Sequence, residues 1–391
     1  MTKWIPSWHS VPINFHQGIG TLHNTVQRST HVNNLNGSKI RLRFNNRYST
    51  DEMHIEHVSA ATRNRITGKL SAPVDVLLNG NRKIVLAPDA DPYSDETALA
   101  VTADDDIVVT LYFSEETVIR SVCLTYAKET WQPFHYTGSD DDPDNLVLIS
   151  EAKAAPGLGS DQNPNAFAAG ISEIAVLCED DTKLIAVFGD SITHMSYYAD
   201  PLTLALYKRF PGKCAVINGG ISGNQISRDH MNVPIPGGGA RFGSAGRDRI
   251  EKDLYDGLCP DIVFILEGAN DTSASMIAGE PSPTAAEIYE ALCSAVSTAK
   301  KHGSTVYVST VTPTGYFNMP WKAPSEEIRT EYNRLIREGG SWDDMIDLDM
   351  IMRDPDDPGR IQEGMHLGDY LHPGPLGGKK MAEAIFNKWF K

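Results

Sequence analysis

Short apolar runs divide the chain into two halves with different periodicity. Up to about residue 180 the runs follow strand patterns, of which 39–44 alternates strictly between polar and apolar positions, the repeat of a half-buried strand. Turn residues such as Asn79-Gly80-Asn81 separate the runs. Further predicted strands lie at 53–58, 74–78, 83–86, 107–113, 118–126 and 171–178. Many short strands at this spacing predict an antiparallel β-sandwich or jelly roll.

From residue 184 onward, apolar runs alternate with helical segments. Predicted strands lie at 184–188, 214–217, 262–266 and 305–310, and predicted helices at 201–209, 285–300, 325–338 and 381–389. Apolar strands that alternate with helices are typical of a parallel sheet covered on both faces. The polar, Pro/Gly/Asp-rich residues 139–165 contain one apolar run, at 146–149, and are interpreted as a last strand and a connection. We therefore predict two domains, all-β at 1–180 and α/β at 181–391.

Charge and cysteine content narrow the class of partner. The 391 residues carry a formal net charge of −16 at pH 7, which argues against nucleic acid or an anionic membrane surface as a partner. The five cysteines are scattered and form no C-x-x-C pair, so we expect neither a metal site nor a disulfide framework. The lack of a signal-like segment or a membrane-spanning apolar run predicts a cytoplasmic location. No nucleotide-binding loop occurs, so no cofactor is predicted.

Four sequence blocks carry groups suited to ester chemistry. Ser191 follows a predicted buried strand, at the end where open α/β sheets bind ligands, although a serine there is also a common helix cap. The glycine-rich segment 219–224 allows close approach of backbone to a substrate. Asn270 can aim a side-chain N–H at a developing oxyanion. Asp369 and His372 are three residues apart, so the carboxylate can orient the imidazole and leave its Nε2 free to accept a proton.

In this order the blocks resemble those of the SGNH, or GDSL-type, hydrolases. Gly189-Asp190-Ser191 resembles the first block, 218–224 the second, 268–271 the third and 368–373 the last. The N-terminal half is similar to the β domain of a bacterial branch of this family. The resemblance implies a flavodoxin-like parallel-sheet SGNH hydrolase domain preceded by an all-β jelly-roll or sandwich domain.

The resemblance also assigns roles to individual residues. It implies a catalytic set of Ser191, Asp369 and His372, without a metal. It further implies an oxyanion hole formed by the backbone N–H groups of Ser191 and Gly223 and by the side chain of Asn270. The enzyme would then be a carboxylic ester hydrolase that works through an acyl-enzyme.

Two histidines complicate this assignment. His366 lies three residues after Glu363 and repeats the spacing of Asp369 and His372. It is therefore an alternative base; His372 is favoured because a Pro-Gly turn and the closing helix follow it, as in the family. His194 stands where a small residue is commoner after the first block, which predicts a narrower or more polar nucleophile pocket.

Substrate class is the least constrained expectation. The lack of a long apolar lid segment favours short-chain esters, and a jelly roll joined to an SGNH domain resembles carbohydrate esterases that remove acetyl groups. We therefore expect a small-molecule or oligosaccharide ester as substrate. Four aromatic residues are candidate sugar platforms, with packing in the β core as the simpler interpretation: Trp4, Trp8, Trp131 and Tyr136. The alternatives are a lipase or arylesterase-type acylhydrolase, an acyl transferase, and a carbohydrate-binding protein with an inactive hydrolase domain.

Overall fold

The computed structural model describes residues 2–138, 147–149, 166–229, 233, 238–277, 279, 281–317, 323 and 325–391. Contacts within the chain define two compact units, one formed mainly by residues up to Lys183 and the other mainly by residues from Leu184 onward. Most of the predicted connection, at 139–146 and 150–165, lies outside the described residues.

The first unit is built from strands, and the strand pairs described in it are antiparallel. The largest sheet has the order β14-β13-β4-β10-β7-β8, and a second sheet has the order β1-β16-β5. The predicted all-β part is thereby confirmed. The strands are β1 Thr2–His9, β2 Ile13–Asn14, β3 Gly20–Leu22, β4 Thr25–Val32, β5 Ile40–Asn45, β6 Met53–Ile55, β7 His57–Asn64, β8 Val74–Asp75, β9 Ile84–Leu86, β10 Asp105–Phe113, β11 Thr117–Ile119, β12 Ser121–Thr125, β13 Trp131–Thr137, β14 Val147–Ile149, β15 Ala166–Ala168 and β16 Gly170–Glu179.

Tryptophans and polar side chains share the buried interior of this unit. Trp8 and Trp131 are each 6% exposed, and their ring centroids lie 5.0 Å apart. His31 contacts both rings, and burial lowers the pKa of its imidazole to about 3. Trp8 and Trp131 are therefore core residues of the β unit rather than sugar platforms, whereas Trp4 and Tyr136 are half-buried.

The chain from Lys183 onward contains a parallel sheet of order β18-β17-β19-β20-β21. This is the flavodoxin-like strand order, so the predicted α/β fold is confirmed. The strands are β17 Lys183–Gly189, β18 Cys214–Gly220, β19 Ile262–Leu266, β20 Thr305–Ser309 and β21 Asp344–Ile346. The helices are α1 Ser191–His194, α2 Ala199–Arg209, α3 Gly246–Tyr255, α4 Ala269–Ile277, α5 Ala285–Lys301, α6 Glu326–Glu338, α7 Leu348–Met352 and α8 Pro375–Trp389.

The strand order places three loops side by side. β17 lies between β18 and β19, so the direction of winding reverses at β17. Open α/β sheets bind ligands at such a reversal, beyond the carboxyl ends of the strands. Ser191, Gly223 and Asn270 follow the ends of β17, β18 and β19, respectively. Among the helices in the described ranges, none combines the length and the apolarity needed to cross a bilayer.

Candidate active site

Ser191 stands at a tight turn between β17 and α1. A Cβ on Gly189 would lie 2.1 Å from the carbonyl oxygen of Leu266, so only glycine fits at the end of the strand. The Asp190 carboxylate then accepts the backbone N–H of Ile192 at 2.9 Å and caps the helix. Because Ser191 is the first residue of α1, its own N–H has no acceptor within that helix.

The structure brings Ser191, His372 and Asp369 together. His372 Nε2 lies 2.8 Å from Ser191 Oγ, and His372 Nδ1 lies 2.5 Å from Asp369 Oδ2. Asp369 Oδ1 also accepts the backbone N–H groups of Leu371 and His372, each at 3.0 Å. The side chains of His372 and Asp369 are 18% and 21% exposed, so the pair is open to solvent on one side.

These contacts define the protonation states of the pair. Burial alone would raise the pKa of Asp369, but the hydrogen bonds and charge of His372 outweigh it and hold the pKa of Asp369 below its usual value. An ionised Asp369 accepts the N–H of His372 Nδ1, which fixes the tautomer whose Nε2 is an acceptor. That nitrogen can take the proton of the Ser191 hydroxyl.

His366 has a different environment from His372. Its Nδ1 accepts the backbone N–H groups of Gly368 at 3.0 Å and Tyr370 at 3.2 Å. Its Nε2 lies 4.0 Å from Glu363, compared with 2.5 Å between His372 and Asp369. The histidine that contacts Ser191 is therefore His372.

Gly223 lies in a turn that requires glycine. Its φ is +80°, and a Cβ there would lie 2.1 Å from Cδ1 of Phe242. The Gly223 N–H donates to no acceptor among the residues that the structure describes. The neighbouring Ser222 donates its backbone N–H to His194 Nδ1 at 3.1 Å, and the two side chains lie 2.9 Å apart. His194 thus ties the helix that carries Ser191 to the turn that carries Gly223.

Asn270 lies at the start of α4 and is 6% exposed. Its Nδ2 donates one N–H to the backbone carbonyl of Asn224 at 2.9 Å. A side-chain amide has two N–H donors, so one remains for a ligand. The bond to Asn224 links the loop after β19 to the loop after β18.

A buried arginine beneath these loops was not among the predicted site residues. Arg249 donates to the carbonyl oxygens of Gly189 at 2.9 Å and Gly219 at 2.8 Å, and to Asn224 Oδ1 at 2.7 Å. It thereby joins the carboxyl ends of β17 and β18 to the loop that bears Gly223. The only local signal in the sequence is the i,i+4 spacing of Arg249 and Asp253 on a helix, a common pattern on solvated surfaces.

Several carboxyl groups are buried in this part of the core, and two of them lie near Arg249. Asp253 Oδ2 is 3.0 Å from Arg249 Nη1. Glu267 is 2% exposed and its Oε2 lies 3.7 Å from Arg249 Nη2. Burial, followed by the charge of Asp190, nevertheless raises the pKa of Glu267 well above its usual value. Burial also raises the pKa of Asp190 to about 6. Asp271 is ordered by the N–H groups of Ile226 and Ser227, both at 2.9 Å.

Within the ranges that the structure describes, no three His, Cys, Asp or Glu side chains are arranged to hold a metal ion.

The fold and these blocks agree with a known family. Residues 187–380 match the GDSL-like lipase/acylhydrolase family, and this part of the chain belongs to it. The protein is accordingly a hydrolase, and the predictions of family and enzyme class are confirmed. The comparison with curated proteins gives no match.

Several solved structures are similar to about half of this chain. One is an acetyl xylan esterase, 19% identical, with 53% of this chain and 100% of that chain covered and a TM-score of 0.41. Another is the lipase/acylhydrolase from Enterococcus faecalis, 21% identical, with 53% and 95% covered and a TM-score of 0.40. A third is a GDSL-like lipase from Bacteroides thetaiotaomicron, 18% identical, with 53% and 87% covered and a TM-score of 0.38.

Proposed function

We propose that the protein is a serine esterase in which Ser191 is the nucleophile, His372 the base and Asp369 the residue that orients the base. The chain of two contacts, 2.8 Å from Ser191 Oγ to His372 Nε2 and 2.5 Å from His372 Nδ1 to Asp369 Oδ2, carries this proposal. A nucleophile bonded to a base that is itself bonded to an orienting carboxylate is the arrangement that nucleophilic acyl transfer needs.

The proposed reaction proceeds in two halves. Ser191 Oγ attacks the ester carbonyl carbon while His372 Nε2 takes the hydroxyl proton. Collapse of the tetrahedral intermediate breaks the bond to the leaving alcohol, which receives that proton from His372. A water molecule then attacks the acyl-enzyme carbonyl while His372 takes its proton. His372 returns that proton to Ser191 Oγ, which releases the carboxylic acid and restores the free serine.

Three donors are proposed to hold the oxyanion of each intermediate: the backbone N–H groups of Ser191 and Gly223 and the second Nδ2 N–H of Asn270. Support comes from the side-by-side placement of the loops after β17, β18 and β19 and from the bonds between them. Arg249 fixes the backbone of two of these loops. Donors held in place before the reaction stabilise developing charge without reorganisation.

The substrate class is proposed more narrowly than the family itself defines it. We propose short-chain carboxylic esters as substrates, with acetyl as the acyl group and carbohydrate as the leaving alcohol. We also propose that residues 1–180 and 181–391 are separate domains. The combination of a β domain with an SGNH domain in the sequence supports this choice. The half-buried Trp4 and Tyr136 are the aromatic side chains left as candidate sugar contacts.

A panel of esters tests the substrate class. Rates are measured on p-nitrophenyl esters from acetyl to palmitoyl, and acetate release is measured on acetylated xylan, mannan and pectin oligosaccharides, with Ser191→Ala as the control. We expect the acetyl ester to react fastest and at least one oligosaccharide to release acetate. A preference for palmitoyl would show a lipase-type enzyme instead. Absence of both hydrolysis and labelling by a fluorophosphonate would support a binding protein with an inactive hydrolase domain.

A further inference from the structure

The turn that carries Asp369 and His372 is organised by the second histidine of the region. His366 Nδ1 accepts two backbone N–H groups, from Gly368 at 3.0 Å and Tyr370 at 3.2 Å. These donors lie on either side of Asp369. The His366 side chain is 3% exposed, so both bonds are shielded from competing water.

Tyr370 shows why the turn needs this acceptor. Its φ is +56°, a left-handed conformation that costs a non-glycine residue free energy and persists only when its surroundings impose it. The Tyr370 ring packs on the His366 ring with centroids 4.0 Å apart. Its hydroxyl lies 3.0 Å from Glu363 Oε2 and is also bonded to Arg360. The backbone N–H and the ring of Tyr370 are thus both held in the unusual conformation.

We propose that His366 is a positioning residue, whose uncharged Nδ1 holds the Gly368–Tyr370 backbone so that Asp369 and His372 face Ser191. The inference rests on the proposed function of Ser191, Asp369 and His372. It assigns the repeated carboxylate-x-x-histidine spacing two different roles: the second histidine contacts the nucleophile, and the first one shapes the turn.

The contacts of the His366 ring indicate which of its nitrogens is the acceptor. A nitrogen that accepts two N–H groups has no room for its own proton, so the proton of neutral His366 is on Nε2. That nitrogen lies 4.0 Å from Glu363 Oε2, beyond hydrogen-bonding distance. Arg360 contacts the outer face of Tyr370, at 4.4 Å from its ring centroid, and Asp369 and His372 lie further along the turn.

Two substitutions separate acceptor chemistry from packing. In His366→Asn the side-chain oxygen sits one bond from Cγ, as Nδ1 does, and can accept both N–H groups without taking up a proton. In His366→Leu the volume is filled but the acceptor is lost. His302→Asn is the matched control, because His302 pairs with Glu251 on the surface and is far from the turn in sequence.

The experiment measures kcat and KM on p-nitrophenyl acetate at neutral pH, alongside thermal unfolding. Because small misplacements of catalytic groups have large effects on rate, we expect His366→Leu to lower kcat by roughly tenfold to a hundredfold. KM should change little and unfolding should stay cooperative. His366→Asn should recover most of the lost kcat.

Equal kcat for His366→Leu and wild type, both folded, would overturn the positioning role. So would equal loss in the Leu and Asn variants, since packing and not the acceptor would then matter. Failure of the proposed function is recognised separately, by a Ser191→Ala variant that keeps wild-type activity. If His366→Leu does not fold, His366→Asn alone decides: a kcat close to that of the wild type supports the acceptor role, and a folded variant that loses tenfold or more in kcat overturns it.

Discussion

Asn270→Ala separates the catalytic role of an oxyanion donor from its structural role. The change removes two N–H donors: one that bonds the Asn224 carbonyl at 2.9 Å and one assigned to the oxyanion. Loss of an oxyanion-hole donor costs about 2.7–4 kcal/mol of transition-state stabilisation, or roughly a hundredfold to a thousandfold in kcat. A buried carbonyl left without its donor costs about 1–3 kcal/mol of stability.

These two effects appear in different measurements. Steady-state kinetics on p-nitrophenyl acetate should show the fall in kcat with little change in KM, because the donor acts on charge that develops only in the transition state. Denaturant unfolding should show the smaller loss of stability with the protein still folded at the assay temperature. An Asn270→Ala enzyme that is destabilised as expected but keeps the wild-type kcat would refute the assignment of Asn270 to the oxyanion hole.

Two further substitutions test the charges in and beneath the site. Asp369→Asn should keep the hydrogen bonds from the backbone N–H groups at 3.0 Å but favour the wrong tautomer of His372. We therefore expect kcat to fall by about 10⁴-fold. Single-turnover kinetics measures this loss, and a loss below tenfold would contradict the role of Asp369. Glu267→Gln should gain stability relative to wild type as pH rises above about 4.5, the ordinary pKa of Glu267. The reason is that the raised pKa of Glu267 means that the folded state holds its proton more tightly than the unfolded state. Denaturant unfolding at pH 5 and pH 8 checks the sign, and a relative loss at pH 8 would show that the Arg249 ion pair dominates.

The sequence predicted the α/β part well because its strands follow simple physical rules. β17 and β19 are covered on both faces, so they read as uninterrupted apolar runs, and their loops carry Ser191 and Asn270. Parallel neighbours then bring the loop ends together. In the structure, His372 lies within hydrogen-bonding distance of both Ser191 and Asp369, the residues that the sequence singled out.

The same reasoning did not predict strands of the β unit whose buried side chains are polar. β4 turns Gln27, Ser29 and His31 inward, each 0% exposed, and the buried polar groups find partners such as the backbone of Ala169. A pattern of inward polar residues looks like a solvated segment when only the sequence is read. Its burial depends on partners more than a hundred residues away.

Arg249 and His366 show the same limit within the site. Arg249 donates hydrogen bonds to backbone carbonyls of β17 and β18. A backbone acceptor cannot be recognised from a sequence motif. His366 has the same sequence spacing to a carboxylate as His372. What distinguishes the two rings is the backbone conformation between them, in particular the left-handed Tyr370.

The most direct test of the account is the site of covalent labelling by a fluorophosphonate. We expect one equivalent to abolish ester hydrolysis and to be recovered by mass spectrometry on the peptide that contains Ser191. His372→Ala should react far more slowly, because its serine lacks a base. Modification of a different residue accompanied by loss of activity, or full inactivation with Ser191 unmodified, would contradict the central claim.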